Sequence, residues 1–463
     1  MRSGLNPFSP PKHNNVIIKF AVSFLLAGLA FHFLISDSFR FSSVVETPVP
    51  ANEEAGTEAL VASLPVEVPL SNDFAANESQ ISQPGIQIFF PFLFLHMPEY
   101  ESKNPDEGSE SAICLLEIGC LTLRDRFYTN QSCLEIERHQ NCMKNGRPDS
   151  GYLHWRWSPR GCNLPRFNPK KFLRLMRNKS WAFIGDSISR NHVQSMLCIL
   201  SRVERAVEVY HDEEYRSRIW RYPSHNFTLS VIWTPFLVKA DIFEDMNGVS
   251  SSEIQLHLDK LDKKWTDQYR NLDYAVIAGG KWFLKTAIYH ENNEATGCHN
   301  CPGKNLIELG FGYAYRKAMH LVFNFITNSG HKAHAFFRTT TPDHFENGEW
   351  FSGGTCNRKV PFKEGEINMN EVDTIMHNIE LEEFKKATAS GSEKGVILKL
   401  LDTTQLSLLR PDGHPGPYRQ FQPFAEDKNA RVQNDCLHWC FPGPIDSWND
   451  LVMEMIVNDG IYQ

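Results

Sequence analysis

The sequence predicts an α/β fold with a central parallel sheet flanked by helices. Beyond residue 170, short apolar runs suited to buried strands alternate with longer segments of helical periodicity. The predicted strands are Ser180–Ile184, Leu229–Trp233, Tyr274–Ala278, Ala333–Arg338 and Val396–Leu401. The predicted helices are Ser189–Glu204, Ile254–Trp265, Tyr313–Thr327, Met369–Thr388 and Ile445–Val457. Right-handed crossovers would place such helices on both faces of the sheet.

A long apolar run, Val16–Ile35, precedes this domain. At about 1.5 Å per residue a helix of this length spans roughly 30 Å, the thickness of a bilayer core. Arg2 and Lys12 lie on its N-terminal side, and the positive-inside rule then keeps residues 1–15 in the cytosol. We expect residues 16–35 to be a single-pass type II anchor and the bulk of the chain to be lumenal. A cleaved signal peptide is the alternative.

The segment after the predicted anchor, residues 36–110, is rich in Pro, Ser, Glu and Asn and predicts a flexible stem. The apolar patch Ile86–Leu95 is an exception within it. Cysteines become frequent from Cys114, so residues 111–170 form a predicted cysteine-rich segment, and residues 171–463 form the α/β domain.

Composition restricts the compartment and the partners. Eleven cysteines favour an oxidising lumen, in which the sequons at Asn77, Asn130, Asn178 and Asn226 could be glycosylated. A net charge of -8 and a pI near 6.1 argue against a nucleic-acid partner, which would require a basic surface. The oligomeric state is not determined by these features.

A nucleophile motif follows the first predicted strand. Gly185, Asp186 and Ser187 come directly before a predicted helix, which would present the serine hydroxyl at the helix N-terminus. Gly185 permits a tight turn, and backbone N–H groups there can stabilise a negatively charged oxygen. A serine hydroxyl also needs a base, and Gly-Asp-Ser alone occurs in ordinary turns.

A base and an orienting acid occur together near the C-terminus. Asp435 and His438 are three residues apart, so the carboxylate can hold one ring nitrogen while the other faces a nucleophile. Separately, the histidine could be structural and Asp435 could cap a turn. With Ser187 in the expected order on an α/β pattern, they predict a Ser187–His438–Asp435 triad.

Long stretches of the chain resemble the plant trichome birefringence-like family of the SGNH/PC-esterase group. The resemblance covers roughly Cys114 to the C-terminus. Besides the two motifs above, it rests on Asn141–Cys162, Leu164–Phe167, Ala182–Ser195, Arg338–Gly353 and Asp435–Trp448. It implies an anchored protein of the Golgi membrane with a lumenal SGNH-like domain that O-acetylates polysaccharides.

The same resemblance points to a substrate and to alternatives. The sequence around Leu164–Phe167 and Gly185–Asn191 most resembles that of xyloglucan and mannan acetyltransferases. Xyloglucan is therefore the expected acceptor, with mannan or xylan next. An acetyl-serine intermediate is expected, with a separate acetyl donor and no bound cofactor or metal. A carbohydrate acetylesterase with the same triad and a catalytically silent polysaccharide-binding protein are the alternatives.

Residues around the triad are candidates for supporting roles. Many SGNH enzymes carry an oxyanion-hole asparagine after the third strand, but this chain has Gly279 and Gly280 there, whose N–H groups could substitute. Arg190 could steady an oxyanion or the donor, and Asn191 could tie the helix to nearby backbone. The expected polysaccharide contacts are Trp282, Arg338, His344 and Trp439.

The cysteines predict disulfides more than metal sites. Cys298 and Cys301 have the spacing of half a zinc site, but no second pair completes it, so a disulfide is preferred. Cys436 and Cys440 flank His438 and are expected to staple its segment. An odd total leaves at least one cysteine unpaired, and departure from the family pattern around Cys120 makes this residue the expected one.

Overall fold

The computed structural model describes residues 119–123, 126–159, 164–243, 250–391 and 394–458, all within the compact unit Met97–Gln463. The predicted cytosolic tail, anchor and stem, with the patch Ile86–Leu95, lie outside the described residues and stay predictions. Within the described ranges, no helix combines the length and apolar character needed to cross a membrane.

A seven-stranded sheet forms the centre of the domain. Its strand order is β13-β12-β9-β3-β6-β5-β4. The five predicted strands are confirmed as its parallel part, in which β3 lies between β6 and β9 and β12 lies between β9 and β13. Their bounds are Ser180–Gly185 (β3), Phe227–Trp233 (β6), Tyr274–Ile277 (β9), His334–Arg338 (β12) and Ile397–Leu401 (β13).

The sheet is mixed, which the sequence pattern did not indicate. Strands β4 (Val207–His211) and β5 (Arg218–Tyr222) add an antiparallel pair beside β6. Only β5 contributes fully buried side chains, because β4 is the edge strand and its residues are mostly exposed. Without a buried apolar run, β4 carried no strand signal.

The predicted helix Ile254–Trp265 is wrong. Residues Ile254–Leu261 form strand β8 of a second, four-stranded sheet, and a helix begins only at Lys263 after the capping residue Asp262. Buried Ile254, Leu256 and Leu258 alternate with partly exposed neighbours, which is the period-two pattern of a half-buried strand. The sheet order is β11-β10-β8-β7, with bounds Val238–Asp241 (β7), Ala287–Glu291 (β10) and Glu294–His299 (β11).

The other four predicted helices are confirmed, with ends shifted by a few residues. They are α2 (Ser187–Leu200), α4 (Gly310–Asn328), α5 (Glu371–Gly391) and α7 (Asp446–Val457). Three short helices complete the domain: α1 (Pro169–Leu175), α3 (Lys263–Tyr269) and α6 (Thr404–Leu408).

Strand β3 separates two hydrophobic cores. Trp181 and Phe183 point to the face covered by α1, α2 and α7, whereas Ala182 and Ile184 point to the face covered by α3, α4 and α5. Both sides of the strand are therefore buried, as expected for a parallel sheet with helices on both faces. The carboxyl end of β3, where Ser187 lies, is held between the two layers.

The N-terminal segment is tied to this domain by disulfides. A small antiparallel pair, β1 (Gly119–Leu123) and β2 (Trp155–Pro159), lies in this segment. Cys133 is bonded to Cys198 of α2, and Cys142 to Cys440 beyond His438. Cys120 is in β1, and its unpaired state stays a prediction.

We predict that Trp181→Ala strongly destabilises the domain. Trp181 is fully buried in β3 and stacks on Tyr274 and Phe336 with ring centroids 5.0 and 5.8 Å away. Truncation leaves a large cavity and should lower the free energy of unfolding by about 3–5 kcal/mol in urea denaturation. Tyr210→Ala, at an exposed position on β4, is the control and should change it by less than about 0.5 kcal/mol. Equal effects of the two changes would contradict the packing described.

Candidate active site

The turn from β3 into α2 presents Ser187 at a helix N-terminus. Gly185 has φ +153°, and a Cβ there would lie 2.6 Å from both the Ala278 oxygen and the Ser189 hydroxyl. Only glycine fits this turn. Asp186 caps α2, since its Oδ1 accepts a hydrogen bond from the Ile188 N–H at 2.9 Å. Ser187 is thus the first helical residue and is partly exposed.

The second predicted motif forms a hydrogen-bonded pair. Buried Asp435 accepts hydrogen bonds from the Leu437 and His438 backbone N–H groups at 3.2 and 3.0 Å. Its Oδ2 lies 3.0 Å from His438 Nδ1. An ionised carboxylate only accepts, so Nδ1 carries a proton and donates to Asp435. Burial favours the neutral acid, but the charge and hydrogen bonds of His438 outweigh it and hold the pKa of Asp435 well below its usual range.

Asn191 joins these two motifs across 248 residues of sequence. Its Oδ1 accepts from the Trp439 N–H at 2.8 Å, and its Nδ2 donates to the Trp439 carbonyl at 3.3 Å. Asn191 lies one helical turn after Ser187, and Trp439 directly follows His438. The side chain therefore fixes the segment that carries His438 against the first turn of α2.

Two disulfides hold the same segment from outside, as the spacing of the cysteines predicted. Cys436 is bonded to Cys356 and Cys440 to Cys142, one on each side of His438. The preferred disulfide Cys298–Cys301 is also present. Its sulfurs lie near the Glu308 carboxylate, but a disulfide offers no thiolate to a metal ion.

Gly279 and Gly280 lie beside the turn, at the end of β9. A Cβ on Gly280 would overlap the Asp186 carboxylate, and a Cβ on Gly279 would lie 2.7 Å from the Tyr315 ring. Both positions therefore require glycine because of close packing. Gly280 therefore lies against Asp186, the residue before Ser187, and the oxyanion role of the two glycines stays a prediction.

Arg190 has a carboxylate partner in the N-terminal segment. Its Nη2 lies 3.7 Å from Glu137, which also contacts Arg218 at 3.6 Å and His139 at 3.4 Å. Burial lowers the pKa of His139, Glu137 raises it, and the nearby His438 lowers it further. The N-terminal segment thus contributes titratable groups near His438 and Arg190. No sequence motif indicated these groups.

Three of the four predicted polysaccharide contacts are in the core. Trp439, Arg338 and His344 have exposed fractions of 0%, 1% and 8%, so they present no surface to a polymer. Aromatic and histidine residues carry no local mark that distinguishes a core position from a surface one. Trp282 is partly buried, packs edge-on against Trp233 and Phe236, and has the Lys285 ammonium 4.3 Å from its ring centroid.

Buried His344 instead belongs to a chain of hydrogen bonds that supports His438. Its Nε2 faces the Leu408 carbonyl at 2.9 Å, and its Nδ1 lies 2.7 Å from His414 Nε2. The Nδ1 of His414 faces the His438 carbonyl at 2.8 Å. These contacts need three protons, whereas two neutral rings carry two, so the complete set requires one additional proton. Burial lowers the pKa of both rings and opposes its uptake. No motif pointed to His414.

Buried Arg338 lies beneath the catalytic turn. Its Nη1 donates to Thr341 at 3.1 Å, and within the described chain its Nε and Nη2 have no hydrogen-bond partner. Burial lowers the pKa of its guanidinium, and the carboxylates of Asp186 and Glu380 oppose this effect. The same guanidinium lowers the pKa of Asp186, which burial raises. Arg338 is therefore enclosed near Asp186 and presents no surface to a polymer.

Comparisons with known proteins match most of this chain to one family. Residues 164–455 match the family described as GDSL/SGNH-like acyl-esterases found in Pmr5 and Cas1p, and residues 122–163 match the PMR5 N-terminal domain. Protein trichome birefringence-like 25 of Arabidopsis thaliana is 55% identical, with 98% of this chain and 95% of the relative aligned. Xyloglucan O-acetyltransferase 1 of Populus trichocarpa is 43% identical over 79% of this chain and 88% of its own length. Xyloglucan O-acetyltransferase 1 of Arabidopsis thaliana is 43% identical over 71% and 76%.

Glu380 generates a prediction on pH and stability. Burial raises its pKa to about 7, although hydrogen bonds from Thr340 and Tyr315 favour the charged form. The folded-state pKa of Glu380 exceeds the unfolded-state pKa of about 4.3. Its contribution to the free energy of unfolding is therefore complete below about pH 4.3 and is lost as the pH rises towards 7. Glu380→Gln should therefore become more stable relative to the parent by up to about 1.4 kcal/mol per pH unit across this range.

The measurement is urea denaturation of both proteins between pH 4.5 and 8. Glu382→Gln is the matched control, because Glu382 is an exposed residue of the same helix. The control should leave the pH dependence of the unfolding free energy unchanged. A Glu380→Gln profile parallel to that of the parent would refute a raised pKa at Glu380.

Proposed function

The chain belongs to the trichome birefringence-like family, with the acyl-esterase domain across residues 164–455, and from this premise we propose that it is a polysaccharide O-acetyltransferase. Its acceptor is a hydroxyl of a cell-wall hemicellulose, with xyloglucan first and mannan or xylan next. The observation that carries the proposal is the Asp435–His438 pair, which Asn191 fixes against the helix that begins at Ser187. Relatives named as xyloglucan O-acetyltransferases support the choice of acceptor.

In the proposed first half-reaction, Ser187 Oγ attacks the carbonyl carbon of the acetyl donor. His438 Nε2 accepts the hydroxyl proton, and Asp435 stabilises the resulting imidazolium. The oxyanion lies among the backbone N–H groups at Ser187 and Gly279–Gly280, in place of the usual asparagine side chain. His438 then returns the proton to the leaving group, which departs and leaves acetyl-Ser187.

In the second half-reaction, the same imidazole accepts the proton of a sugar hydroxyl, whose oxygen attacks the acetyl-serine carbonyl. Collapse of the tetrahedral intermediate gives the acetylated sugar and restores the Ser187 hydroxyl. Transfer requires that the sugar reach the acyl-serine before water does. The acetyl donor is a separate substrate, and this chemistry uses no bound metal or organic cofactor.

The Ser187–His438 contact is itself part of the proposal. Among the described residues, the Asp435–His438 bond is formed, but no hydrogen bond joins the Ser187 hydroxyl to the His438 ring. Such contacts often tighten only when substrate is bound. His438 is close enough to lower the pKa of Asp186, the residue beside Ser187, which supports the approach of the two groups.

We also propose that the domain acts in the Golgi lumen behind a type II anchor at residues 16–35. The apolar run and its flanking charges support the anchor. Disulfides at Cys133–Cys198, Cys142–Cys440 and Cys356–Cys436 support an oxidising compartment. Asn178 and Asn226 are exposed and could both be glycosylated there.

We predict that Ser187→Ala abolishes acetyl transfer and the covalent intermediate. The parent protein, given donor alone, should gain one acetyl group on Ser187, detectable by mass spectrometry of the intact chain and its peptides. With a neutral xyloglucan oligosaccharide, the acetyl group should move to the sugar. Ser187→Ala and His438→Ala should lower the rate by at least about 10³-fold, because the nucleophile and base act as a unit.

The outcomes of this experiment separate three activities. Acetylated oligosaccharide supports the transferase, whereas acetate released without acetylated sugar would identify an esterase. Binding of oligosaccharide without acetyl-serine would identify a silent binding protein. Transfer that persists in Ser187→Ala would refute the proposed nucleophile.

We predict that Asn191→Ala slows formation of acetyl-Ser187 at least about tenfold, because it frees the segment that carries His438. It also leaves the buried Trp439 N–H without a partner, which should cost about 1–3 kcal/mol of stability. Ser195→Ala is the matched control on α2: it removes buried bonds to Asp446 and Asn449 but does not contact the His438 segment. We expect a similar stability loss from Ser195→Ala with a rate within about twofold of the parent. Equal rate losses would show that Asn191 acts only through stability.

A further inference from the structure

Three exposed aromatic side chains lie on two segments that are hydrogen-bonded to the segment of Asp435. Trp350, Phe351 and Phe421 have exposed fractions of 38%, 82% and 48%. Exposure of so much apolar area is unfavourable in water, and a cluster of such residues beside a catalytic group is typical of a binding surface. The predicted polysaccharide contacts Arg338, His344 and Trp439 are buried and present no surface to a polymer.

A short hairpin carries the first two of these rings and is anchored to the catalytic segment. Glu346 and Thr355 exchange backbone hydrogen bonds at 2.7 and 2.8 Å and close the hairpin. It continues into Cys356, whose disulfide partner Cys436 directly follows Asp435. Gln433, just before Asp435, donates from Nε2 to the Trp350 carbonyl at 3.3 Å. The hairpin therefore keeps a defined position relative to the Asp435–His438 pair.

A second segment approaches the same place. Gly416 and Asp435 exchange backbone hydrogen bonds at 2.9 and 3.0 Å. Three residues after Gly416, the Arg419 guanidinium lies 5.7 Å from the centroid of the Trp350 ring. The charge of Arg419 also helps to lower the pKa of Asp435, after the larger effects of burial and His438. Arg419 thus lies beside Trp350 on a segment that is hydrogen-bonded to Asp435, and Phe421 lies two residues further along.

We infer that Trp350, Phe351 and Phe421 form a subsite for the backbone of the acceptor, a neutral β-linked glucan, and this inference rests on the proposed function. A β-linked pyranose has equatorial hydroxyls and apolar C–H faces, and those faces stack on aromatic rings while the hydroxyls remain solvated. Rings anchored beside Asp435 can hold one sugar residue and direct the hydroxyl of a neighbour towards Ser187.

The charges of the hairpin define the class of polymer. Between residues 345 and 355 it carries Glu346 and Glu349 and no lysine or arginine. Two carboxylates repel a uronic-acid polymer, and the Arg419 guanidinium already lies against Trp350. A neutral glucan is therefore favoured over an acidic polysaccharide, and over an anionic membrane surface.

The test measures binding apart from catalysis. The full-length chain in detergent carries Ser187→Ala, so that no turnover occurs, and is titrated calorimetrically with a neutral xyloglucan oligosaccharide. We expect the double variant Trp350→Ala with Phe351→Ala to weaken binding at least tenfold. The conservative single variant Trp350→Phe, which keeps an aromatic ring, should retain most of the parent's affinity. Tyr210→Ala, at an exposed aromatic position on the edge strand β4, is the matched control and should bind as the parent does. Oligogalacturonate should not compete.

Kinetics with Ser187 intact give the second measurement. The double variant should raise the KM for the oligosaccharide at least tenfold, while formation of acetyl-Ser187 from donor alone stays within twofold. Unchanged affinity and KM in a parent that transfers acetyl groups would overturn the subsite and leave the proposed function standing. If the parent forms no acetyl-serine, the proposed function fails, and the calorimetric comparison still decides the subsite. Altered sedimentation of the double variant would identify a contact between copies of the chain and overturn the inference.

Discussion

The docking of the C-terminal segment onto the first turn of α2 is the constraint on which the site depends. Ser187 and His438 are far apart in sequence, and in the proposed mechanism the serine is a nucleophile only when the histidine acts as its base. The Asn191 side chain satisfies both backbone polar groups of Trp439 in a region closed to water. Because a buried N–H or C=O without a partner is costly, this bond pair selects one position of the segment among those that the flanking disulfides Cys142–Cys440 and Cys356–Cys436 allow.

Charge is buried beneath this junction at considerable energetic cost. Arg338 is almost fully enclosed, with Asp186 and Glu380 as its electrostatic partners and, among the residues that the structure describes, a single hydrogen bond, to Thr341. An arrangement of this kind contributes little to stability, since desolvation offsets most of the attraction. What it provides is a fixed positive potential below the turn that carries Ser187. The Asp186 carboxylate also caps the helix, so the same group shapes the turn and interacts electrostatically with buried Arg338.

The distribution of aromatic residues divides the molecule into a packed interior and a working surface. Trp181, Trp439 and Trp448 are fully enclosed, and their rings fill the layer between the central sheet and helices α2 and α7. Trp350 and Phe351 project from a hairpin whose position is set by backbone bonds and a disulfide. The same residue type therefore stabilises the fold in one place and is exposed in another, where we propose that it binds a sugar.

Local sequence features determined the parallel core strands, four of the long helices, the Gly185–Asp186–Ser187 turn and the Asp435–His438 pair, because strand period, turn chemistry and short spacing act over a few residues. The alternation in Ile254–Leu261 is also a local feature, but the helix predicted there is wrong because these residues form a strand. Only the tertiary structure decided that Asn191 forms hydrogen bonds with the Trp439 backbone and that His414 contacts the His438 carbonyl. It also decided which aromatic rings are exposed. Those outcomes depend on which distant segments pack together, and burial and long-range hydrogen bonding leave no periodic mark in the sequence.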